Sequence, residues 1–542
     1  MFEKNSIFEM TCTAFGQDAQ GVCRHDGIVV FVPDLLPGEQ ALVRIVKPER
    51  NFAYGRVEQR ITSSPDRQLP FCPIAKRCGG CTCQHMTYTA SLEYKRQQVE
   101  DLLNRVGHIP VKVPPVIGMD HPYHYRNKGM YPIGTGHDGP VCGFFAQRTH
   151  DLIPLPSEGC TIQDEASSKA VSIVLKWIHD NHIPVYNEHS HTGIVRHLMT
   201  RCTTAGRLMI VLVVTKSNVP HTDDLISALL TSLPQIQSIA LSINAKPGNT
   251  ILGQDIRLLY GDSEMHDQLL GLTFAVSPLS FFQVNPQQTQ KLYQLALDYT
   301  SLTGNENVID AYCGTGTISL LLARQAKQVI GIEIVDAAIQ NARRNAKDNH
   351  IGNATFITGA TEIVLPKLAD DGIRPDVIVL DPPRKGCDPE VLEAIRRVSP
   401  SRIVYVSCSA PTLARDLNRL TAFGYSLDAV QCVDMFCWTS SIETVCLLSK
   451  IKSAPHIDID LDMTELDVTA AETKATYEEI KAYVLEHTGL KVSCLYIAQV
   501  KAKHGIIERE WYNKAKAEGN PVSKCPSEKA IEEALRYFQM IS

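Results

Sequence analysis

The chain has 542 residues, of which 44% are hydrophobic and 21% are charged, and its formal net charge is −6. This length and composition predict several globular domains, and no apolar run reaches the ~18 residues of a membrane span. The negative charge argues against bulk electrostatic binding of nucleic acid, although a local basic face remains compatible with it. The first residues lack the basic and apolar regions of a signal peptide, so we expect a cytoplasmic protein whose thiols stay reduced.

Residues 1–62 have the pattern of short strands separated by turns. An apolar run over residues 28–32 and an alternating segment at Ala41, Val43 and Ile45 flank a Pro-Gly turn. This pattern predicts a small OB-like β-barrel, a scaffold that often binds RNA. A barrel with a purely structural role would have the same pattern.

A cysteine cluster follows the predicted barrel. The stretch CPIAKRCGGCTCQH contains Cys72, Cys78, Cys81 and Cys83. A disulfide knot does not fit a reducing compartment, whereas a C-x-x-C pair suits a redox pair or half of a zinc site. The spacing by itself supports zinc and an iron–sulfur cluster about equally.

The region up to residue 280 is a mixture of predicted helices and strands. A helix is predicted over residues 89–107 and a buried strand over residues 207–215. Between them, HPYHYRNKGMYP places Arg126 and Lys128 among aromatic residues. Such a patch could stack bases or hold phosphates, or it could be a turn whose polar groups are satisfied within the protein.

From about residue 285 onward, predicted strands alternate with predicted helices. This order predicts a parallel sheet with helices on both faces, and ligands of such sheets lie beyond the carboxyl ends of the strands. Four of the strands end in chemically active residues, namely the turn from Asp310 to Gly316, then Glu333, Asp381 and Cys408.

The first of these strand ends, DAYCGTGTISL, has the features of a nucleotide-binding turn. Its glycines allow a ligand to approach the backbone, and the following helix offers free N–H groups. Glu333, about twenty residues further on, can accept ribose hydroxyls. These features suit NAD and S-adenosylmethionine equally, and a tight turn with a surface acid is the structural alternative. The loop Asp381-Pro382-Pro383 favours S-adenosylmethionine, because such loops recur in methyltransferases that act on bases.

Cys408 is the predicted nucleophile. It precedes a predicted helix with Pro411 in its first turn, where the helix dipole and free N–H groups would lower the pKa of a thiol. A buried structural cysteine is the alternative. Together with Glu443, this thiol suits methylation of uracil: a thiolate adds to carbon 6, carbon 5 takes the methyl group, and a base removes the carbon-5 proton.

Residues 453–542 have the character of an appended module. An acidic alternating stretch precedes two predicted helices on either side of Gly489, the first opened by a capping box of Thr476 and Glu479. The length suits a small domain. A helical hairpin is favoured over a helix-turn-helix binder, because no basic recognition face is evident.

Six separated segments together resemble one protein family. They are the cysteine cluster and the motifs SPLSFFQVNP, DAYCGTGTISL, DPPRKGCD, YVSCSAPTLARD and VDMFCWTSSIETV. In this order they resemble the RNA 5-methyluridine methyltransferases, closest to the bacterial ribosomal-RNA uracil-5 enzymes, over residues 10–450. The resemblance implies a multidomain fold: a TRAM-like OB barrel at 1–62, an α+β central RNA-binding domain with an iron–sulfur cluster at 63–280, an α/β Rossmann-like methyltransferase domain at 281–452, and a helical extension at 453–542.

The resemblance also implies a role for individual residues. Cys408 would be the nucleophile and Glu443 the proton acceptor. The S-adenosylmethionine contacts would be Gln283, Tyr312, Glu333 and Asp381. The ligands of a [4Fe–4S] cluster would be Cys72, Cys78, Cys81 and the distant Cys160, and not Cys83. The substrate would be 23S ribosomal RNA, and the protein would act as a monomer.

The chain departs from the family pattern near the expected base. Ser409 and Ala410 follow Cys408 where the family usually has Asn-Pro, Ser441 stands where a histidine is usual, and Cys437 stands where a proline is common. Two alternatives are a transfer-RNA uracil-5 methyltransferase and a non-catalytic RNA-binding iron–sulfur protein. The second alternative predicts that the catalytic positions have drifted, yet both the cysteine and the glutamate are present.

Overall fold

The structure of the chain is a computed structural model. It describes residues 2–147, 149–451, 477–488 and 528–537, together with residues 492, 497, 500 and 501. The chain divides into two units, Met1–Lys452 and Ser453–Ser542. Within the described ranges, no helix is both long enough and apolar enough to cross a bilayer.

A closed five-stranded barrel forms the start of the first unit. Its strands are β1 (Ile7–Phe15), β2 (Gly21–His25), β3 (Ile28–Val32), β4 (Gln40–Pro48) and β5 (Phe52–Arg60), in the order β1-β2-β3-β5-β4. Alternate residues point inward, so that Val30, Val43 and Ala53 are fully buried in its core. The turn between β3 and β4 uses Gly38 at φ 85°, a conformation that favours glycine. The predicted small barrel is therefore confirmed.

The central region is built on a seven-stranded sheet. Its strands are β6 (Lys128–Gly136), β7 (Gly139–Phe145), β8 (Leu152–Pro154), β9 (Val195–Cys202), β10 (Leu208–Val214), β11 (Ile236–Ile243) and β12 (Asp255–Gly261), in the order β12-β11-β10-β9-β6-β7-β8. Its helices are α1 (Tyr88–Arg105), α2 (Glu165–Asp180) and α3 (Thr222–Ser232). Thr87 caps α1, because its hydroxyl accepts a hydrogen bond from the N–H of Ala90 at 3.3 Å. Helix α1 corresponds to the helix predicted over residues 89–107, and strand β10 corresponds to the strand predicted over residues 207–215. The bounds differ from the predicted ones by no more than two residues.

A second seven-stranded sheet forms the remainder of the first unit. A hairpin, β13 (Met265–Leu269) and β14 (Leu272–Val276), precedes it. Its strands are β15 (Asn307–Ala311), β16 (Gln328–Glu333), β17 (Ala354–Thr358), β18 (Val377–Leu380), β19 (Arg402–Ser407), β20 (Tyr425–Val433) and β21 (Glu443–Lys450). The helices are α4 (Pro286–Thr300), α5 (Thr317–Ala323), α6 (Asp336–Asp348), α7 (Thr361–Asp370), α8 (Pro389–Val398) and α9 (Ala410–Ala422).

The strand order of this sheet is β17-β16-β15-β18-β19-β21-β20. The first five strands are parallel, as the alternation of strands and helices predicts. The last strand of the sequence, β21, is inserted antiparallel between β19 and β20. Because β21 runs in the opposite direction, its first residues lie at the edge where the parallel strands have their last ones.

The second unit contains two described helices, α10 (Tyr477–Thr488) and α11 (Glu528–Tyr537). They share an apolar cluster that includes Ile480, Val484, Ile531 and Leu535. Thr476 of the predicted capping box and Gly489 lie outside the described residues, as does most of the second predicted helix.

A buried ion pair joins α1 to the segment that leads into β21. The Lys95 ammonium lies 2.6 Å from a carboxylate oxygen of Asp434, and both side chains are completely buried. Lys95 also donates to the carbonyl of Phe436 at 3.1 Å, and the Tyr88 hydroxyl donates to the other Asp434 oxygen at 2.8 Å. Buried charges are tolerated only when paired and hydrogen-bonded in this way.

Replacing Lys95 with Met is expected to lower the free energy of unfolding by about 3–5 kcal/mol, because it leaves the Asp434 carboxylate buried without its partner. Urea unfolding would measure the loss. The double variant Lys95→Met, Asp434→Leu is expected to recover most of it. Lys176→Met, which breaks an exposed pair with Asp180, is the control and is expected to cost about 0.5 kcal/mol or less. An equal effect of Lys95→Met and Lys176→Met would contradict the assignment.

Candidate active site

Cys408 and Glu443 are brought together by the insertion of β21 beside β19. The register of these two antiparallel strands pairs Ser407 with Thr444. The next residues beyond this pair, at one edge of the sheet, are Cys408 and Glu443, and the charge of Glu443 acts on the Cys408 thiol. This is also the edge at which β15, β16 and β18 end. The two predicted catalytic residues are therefore neighbours at the carboxyl edge of the parallel strands.

The turn after β15 has the backbone that its glycines predict. Gly314 and Gly316 have φ values of 56° and 82°, and Tyr312 adopts φ 86°, which is a strained conformation for a residue with a side chain. A Cβ at Gly316 would lie 2.9 Å from the Cβ of Ala342, so glycine is required there. At Gly314 a Cβ would meet nothing within 4 Å, so this part of the turn faces open space.

Two acids hold this turn. One carboxylate oxygen of Asp310 accepts from the Ser319 hydroxyl at 2.5 Å, while the other is buried without a partner among the described residues. Glu333 accepts from the N–H of Gly314 at 3.2 Å and from the N–H of Val335 at 2.9 Å. Each carboxylate oxygen has two lone pairs, so the anchored Glu333 can still accept ribose hydroxyls.

The pKa values of Asp381 and Glu443 are both raised by their position in the site. Burial raises the pKa of Asp381 to about 7, and the charge of Asp310 adds to that effect. The pKa of Glu443 is well above its usual range, first because of burial and then because of Asp381, while the positive charge of Arg384 opposes the shift. A carboxyl group with a raised pKa is a stronger base once ionised.

The pKa of the Cys408 thiol is raised, whereas the sequence predicts that the following helix would lower it. Burial raises the pKa to about 11, with further contributions from the charges of Glu443 and Asp381, and Arg384 acts in the opposite direction. Helix α9 begins only at Ala410. Desolvation and neighbouring acids therefore outweigh the helix terminus.

Gln283 joins the site through contacts that sequence analysis alone would not find. Its carbonyl accepts from the Asn127 amide at 3.2 Å. Its side chain acts to lower the pKa of Tyr293 on α4, a residue that sequence analysis missed, and so lies close to it. The pKa of Tyr293 is raised by burial and by the charges of Asp381 and Glu443. The only sequence signal for Tyr293 is its position on the buried face of α4.

The basic patch around Arg126 and Lys128 includes a third cation, Arg201. Burial and the charges of Arg201 and Arg126 lower the pKa of Lys128 to about 8. Arg201 is itself buried and donates to the carbonyl of Ser280 at 2.8 Å, and two of its guanidinium nitrogens have no hydrogen-bond partner among the residues that the structure describes. The N–H of Asn127 donates to the carbonyl of Val284, so this patch adjoins the segment of Gln283.

The cysteine loop is bonded directly to the segment before Glu443. The N–H groups of Thr82 and Cys83 donate to the carbonyl of Trp438 at 2.9 and 3.0 Å. In return the N–H of Ser440 donates to the Thr82 hydroxyl at 3.0 Å. Trp438 itself has φ 65°. The position of the segment that contains Trp438 and Ser440 therefore depends on the conformation of the cysteine loop.

The residues that depart from the family pattern make polar contacts with nearby side chains. Ser409 directly precedes α9, and its N–H donates to the Ser407 hydroxyl at 3.1 Å. The Cys437 thiol lies 3.4 Å from the Tyr88 hydroxyl, and the N–H of Ser441 donates to the Thr439 hydroxyl at 3.2 Å.

The four predicted cluster ligands lie near one another, whereas Cys83 is elsewhere. The pKa of Cys81 is raised to about 12, chiefly by burial but also by the charges of Cys160, Cys78 and Cys72. Cys83 is fully buried in a separate apolar cluster with Ala19, Leu36, Met86 and Tyr94. The choice of Cys160 over Cys83 as a ligand stays a prediction.

The predicted iron–sulfur site is nevertheless not confirmed. In the part of the chain that the structure describes, no three His, Cys, Asp or Glu residues are arranged to hold a metal ion. A single zinc ion with Zn–S bonds of about 2.3 Å would need its thiolates within about 4 Å of one another. In a [4Fe–4S] cluster each of four cysteines binds through a thiolate, so the chemistry of these four side chains is suited to it.

Comparisons with known proteins give consistent matches. A family model described as tRNA (Uracil-5-)-methyltransferase matches residues 264–451, and a TRAM domain model matches residues 2–57. Uncharacterised RNA methyltransferases of Clostridium tetani and Halalkalibacterium halodurans are each 44% identical, over 82% of this chain and 97% of theirs. The solved Pyrococcus abyssi tRNA (uracil-54, C5)-methyltransferase in complex with S-adenosyl-L-homocysteine is 26% identical, with a TM-score of 0.66, over 81% of this chain and 100% of that chain.

The substitution Arg384→Gln is expected to raise the pKa of Cys408 above about 11, because it removes the charge that favours the thiolate. Alkylation of Cys408 by iodoacetamide at pH 8 should then slow roughly threefold to tenfold, since each pKa unit is a tenfold change in thiolate. Mass spectrometry of the tryptic peptide 403–415, in which Cys408 is the only cysteine, would give the rate. Arg384→Lys is the control that keeps the charge, and equal rates for the Gln and Lys variants would contradict the prediction.

Proposed function

The chain belongs to the RNA uracil-5-methyltransferase family, and on that premise we propose that it methylates carbon 5 of a uridine in 23S ribosomal RNA through a covalent adduct of Cys408. The observation that carries the proposal is the pairing of β19 with β21, in which Ser407 lies opposite Thr444 and Cys408 and Glu443 are the next residues of the two segments. Both lie at the edge that also holds the glycine turn. A nucleophile, a base and a cofactor site are the three parts that this reaction requires.

S-adenosylmethionine bound at this edge supplies an electrophilic methyl group. The open space at Gly314 and the unpartnered oxygen of Asp310 support its binding at the turn after β15. We assign the ribose hydroxyls to Glu333, which is already oriented by two backbone N–H groups. Tyr312, Gln283 and Asp381 would complete the contacts, each from a different strand end or loop at the same edge.

The chemistry begins at the sulfur of Cys408. The thiol loses its proton, and the thiolate forms a bond to carbon 6 of the uracil, which places a pair of electrons on carbon 5 and its neighbouring carbonyl. Carbon 5 would then form a bond to the methyl group of S-adenosylmethionine, while the sulfur–methyl bond breaks and its electron pair stays on the sulfur of the departing S-adenosylhomocysteine. Arg384, which lowers the pKa of the thiol, is the charge in the site that favours the thiolate.

The reaction ends at Glu443. Its carboxylate removes the proton from carbon 5, and the electrons of that bond expel the sulfur from carbon 6, which restores the ring and the thiolate. The raised pKa of Glu443 gives the carboxylate the basicity that this step needs, and its burial excludes water from the adduct. The target base must leave its stack to reach this buried edge, at a cost of a few kcal/mol.

A transfer-RNA substrate is the second candidate. The similarity to the Pyrococcus abyssi tRNA (uracil-54, C5)-methyltransferase over its whole length favours it. Ribosomal RNA is favoured by the resemblance of the motifs, together with the barrel and the cysteine cluster. The two candidates share the chemistry and differ in the RNA presented to it.

We further propose that Cys72, Cys78, Cys81 and Cys160 hold a [4Fe–4S] cluster. Its support is that the charges of Cys160, Cys78 and Cys72 all act on Cys81, which brings thiols from two distant parts of the chain near one another. The N–H of Gly80 already donates to the Cys78 sulfur at 3.4 Å. We assign the cluster a structural role, because the loop that contains Cys72, Cys78 and Cys81 is also hydrogen-bonded to Trp438 and Ser440.

Transcripts of 23S ribosomal RNA and of transfer RNA that contain 5-fluorouridine are expected to separate the two substrate candidates. Fluorine at carbon 5 cannot leave as a proton, so the enzyme should stay covalently attached after methyl transfer. We expect a gel-stable adduct with the ribosomal transcript and none with Cys408→Ala. An adduct with transfer RNA alone would replace the ribosomal assignment, and the absence of any adduct or methyl transfer would overturn the mechanism.

Anaerobic purification is expected to yield a protein that contains iron and acid-labile sulfide in nearly equal amounts, as in a [4Fe–4S] cluster. Cys160→Ala should lose most of both, since the fourth thiolate is removed. Cys83→Ala is the matched control and should keep them, because Cys83 lies in a separate apolar cluster. A preparation that contains zinc without iron or sulfide would contradict this assignment.

A further inference from the structure

Helix α9, which begins two residues after Cys408, presents three polar side chains on one face. Residues three and four positions apart are neighbours on the surface of a helix. All three side chains make hydrogen bonds to the backbone of the loop of residues 381–388, which follows β18. We call them the α9 clamp, and they are Thr412, Arg415 and Asp416.

Thr412 holds the carbonyl of Arg384. Its hydroxyl lies 3.1 Å from that carbonyl and also 3.1 Å from the carbonyl of Ser409, so its proton is shared between the loop and the start of α9. Ser409 is the residue directly after Cys408. One side chain thus joins the backbone beside the nucleophile to the backbone of Arg384.

Asp416 and Arg415 hold the next residues of the loop. The Asp416 side chain is completely buried, and one of its oxygens accepts from the N–H of Cys387 at 2.8 Å and from the Tyr405 hydroxyl at 2.7 Å. The other oxygen accepts from the Nε of Arg415 at 2.8 Å. Arg415 in turn donates to the carbonyls of Lys385 and Cys387 at 3.0 and 3.2 Å. Asp416 therefore fixes the loop both directly and through Arg415.

The loop and the clamp are packed too closely for another side chain to lie between them. Gly386 has φ 77°, and a Cβ there would lie 2.6 Å from a guanidinium nitrogen of Arg415 and 2.6 Å from an oxygen of Asp416. The N–H of Gly386 donates to the carbonyl of Pro383 at 2.8 Å, which closes a turn within the loop. The loop therefore cannot approach α9 more closely, and the hydrogen bonds of the clamp keep it from moving away.

Arg384 depends on this backbone for its position. It is an exposed residue, and its side chain has no hydrogen bond or ion pair to any other residue that the structure describes. The charged groups that act on the Cys408 thiol are Glu443 on β21 and, from the loop, Asp381 and Arg384. Of these, only Arg384 favours the thiolate. The placement of the loop therefore affects the reactivity of the thiol.

We propose that the α9 clamp, centred on Asp416, positions Arg384 beside Cys408 and so sets the reactivity of the nucleophile. Asp416 is a positioning residue, since it acts on the thiol only through the loop. A purely structural role is the alternative, because a buried carboxylate that accepts three hydrogen bonds also stabilises the fold. The proposal rests on Cys408 as the nucleophile of the proposed function, and it adds the residues that control its thiolate.

The test is the rate at which iodoacetamide alkylates Cys408 at pH 8, measured by mass spectrometry on the full-length protein without RNA or cofactor. Asp416→Asn keeps the size of the side chain but turns an amide NH2 group towards Arg415, which breaks that pair. We expect alkylation to slow about threefold, the effect of about half a pKa unit. In the Arg384→Gln background the same substitution should have no further effect, because no charge remains to be positioned.

Thr412 tests the same link without a change of buried charge. Thr412→Val removes the hydroxyl that holds the Arg384 carbonyl and is expected to slow alkylation about twofold, the effect of about 0.3 pKa unit. Thr412→Ser keeps a hydroxyl and should keep the wild-type rate. Thr421→Val is the matched control and should also keep that rate, because the Thr421 hydroxyl donates to the carbonyl of Asn418 in the last turn of α9.

Glu39 provides a control for stability. Its buried carboxylate, in the barrel, accepts from the N–H groups of Leu36 at 2.9 Å and of Ser64 at 3.1 Å, and it pairs with Arg67. Glu39→Gln should lower the free energy of unfolding, as Asp416→Asn does, because each weakens a buried pair. It should leave the alkylation rate of the thiol unchanged.

Wild-type alkylation rates in both Asp416→Asn and Thr412→Val would overturn the proposal. An equal slowing by Asp416→Asn with and without Arg384 would also overturn it, because the effect would then not depend on that charge. Methyl transfer by Cys408→Ala would instead overturn the proposed function. The alkylation rates would still decide on the clamp, since they require neither RNA nor cofactor.

Discussion

The buried ion pair between Lys95 and Asp434 is the interaction on which the arrangement of the site depends. Two charges without solvent contact must satisfy each other, and this pair does so across the boundary between α1 and the catalytic sheet. The same carboxylate accepts from Tyr88, and the same ammonium donates to Phe436. The segment that leads into Glu443 is consequently held from the side of the central region rather than by its own sheet.

That segment is the point at which the cysteine loop and the sheet meet. The loop reaches it through the carbonyl of Trp438 and the N–H of Ser440. Any change in the loop would therefore be transmitted to the first residue of β21. This connection supplies a physical reason for a cysteine cluster in a methyltransferase that needs no electron transfer.

The electrostatics of the site are those of a buried acidic pocket. Asp310, Asp381 and Glu443 all have raised pKa values, because burial disfavours each charge and the acids repel one another. A cationic ligand relieves this repulsion, and the sulfonium of S-adenosylmethionine is such a ligand. The basic patch of Arg126, Lys128 and Arg201 lies next to the segment of Gln283, so surfaces of opposite sign adjoin each other at the site.

The sequence by itself determined which residues are candidates for the chemistry and which elements carry them. The glycine turn, Glu333, Asp381 and Cys408 could all be recognised, because a parallel sheet brings its strand ends to one edge whatever the order of its strands. Only the tertiary structure decided that β21 is inserted beside β19, which makes Glu443 the neighbour of Cys408. It also decided that the thiol of Cys408 has a raised pKa and that Tyr293 joins the site. These features depend on strand order and burial, which arise from contacts between distant parts of the chain and leave no local pattern.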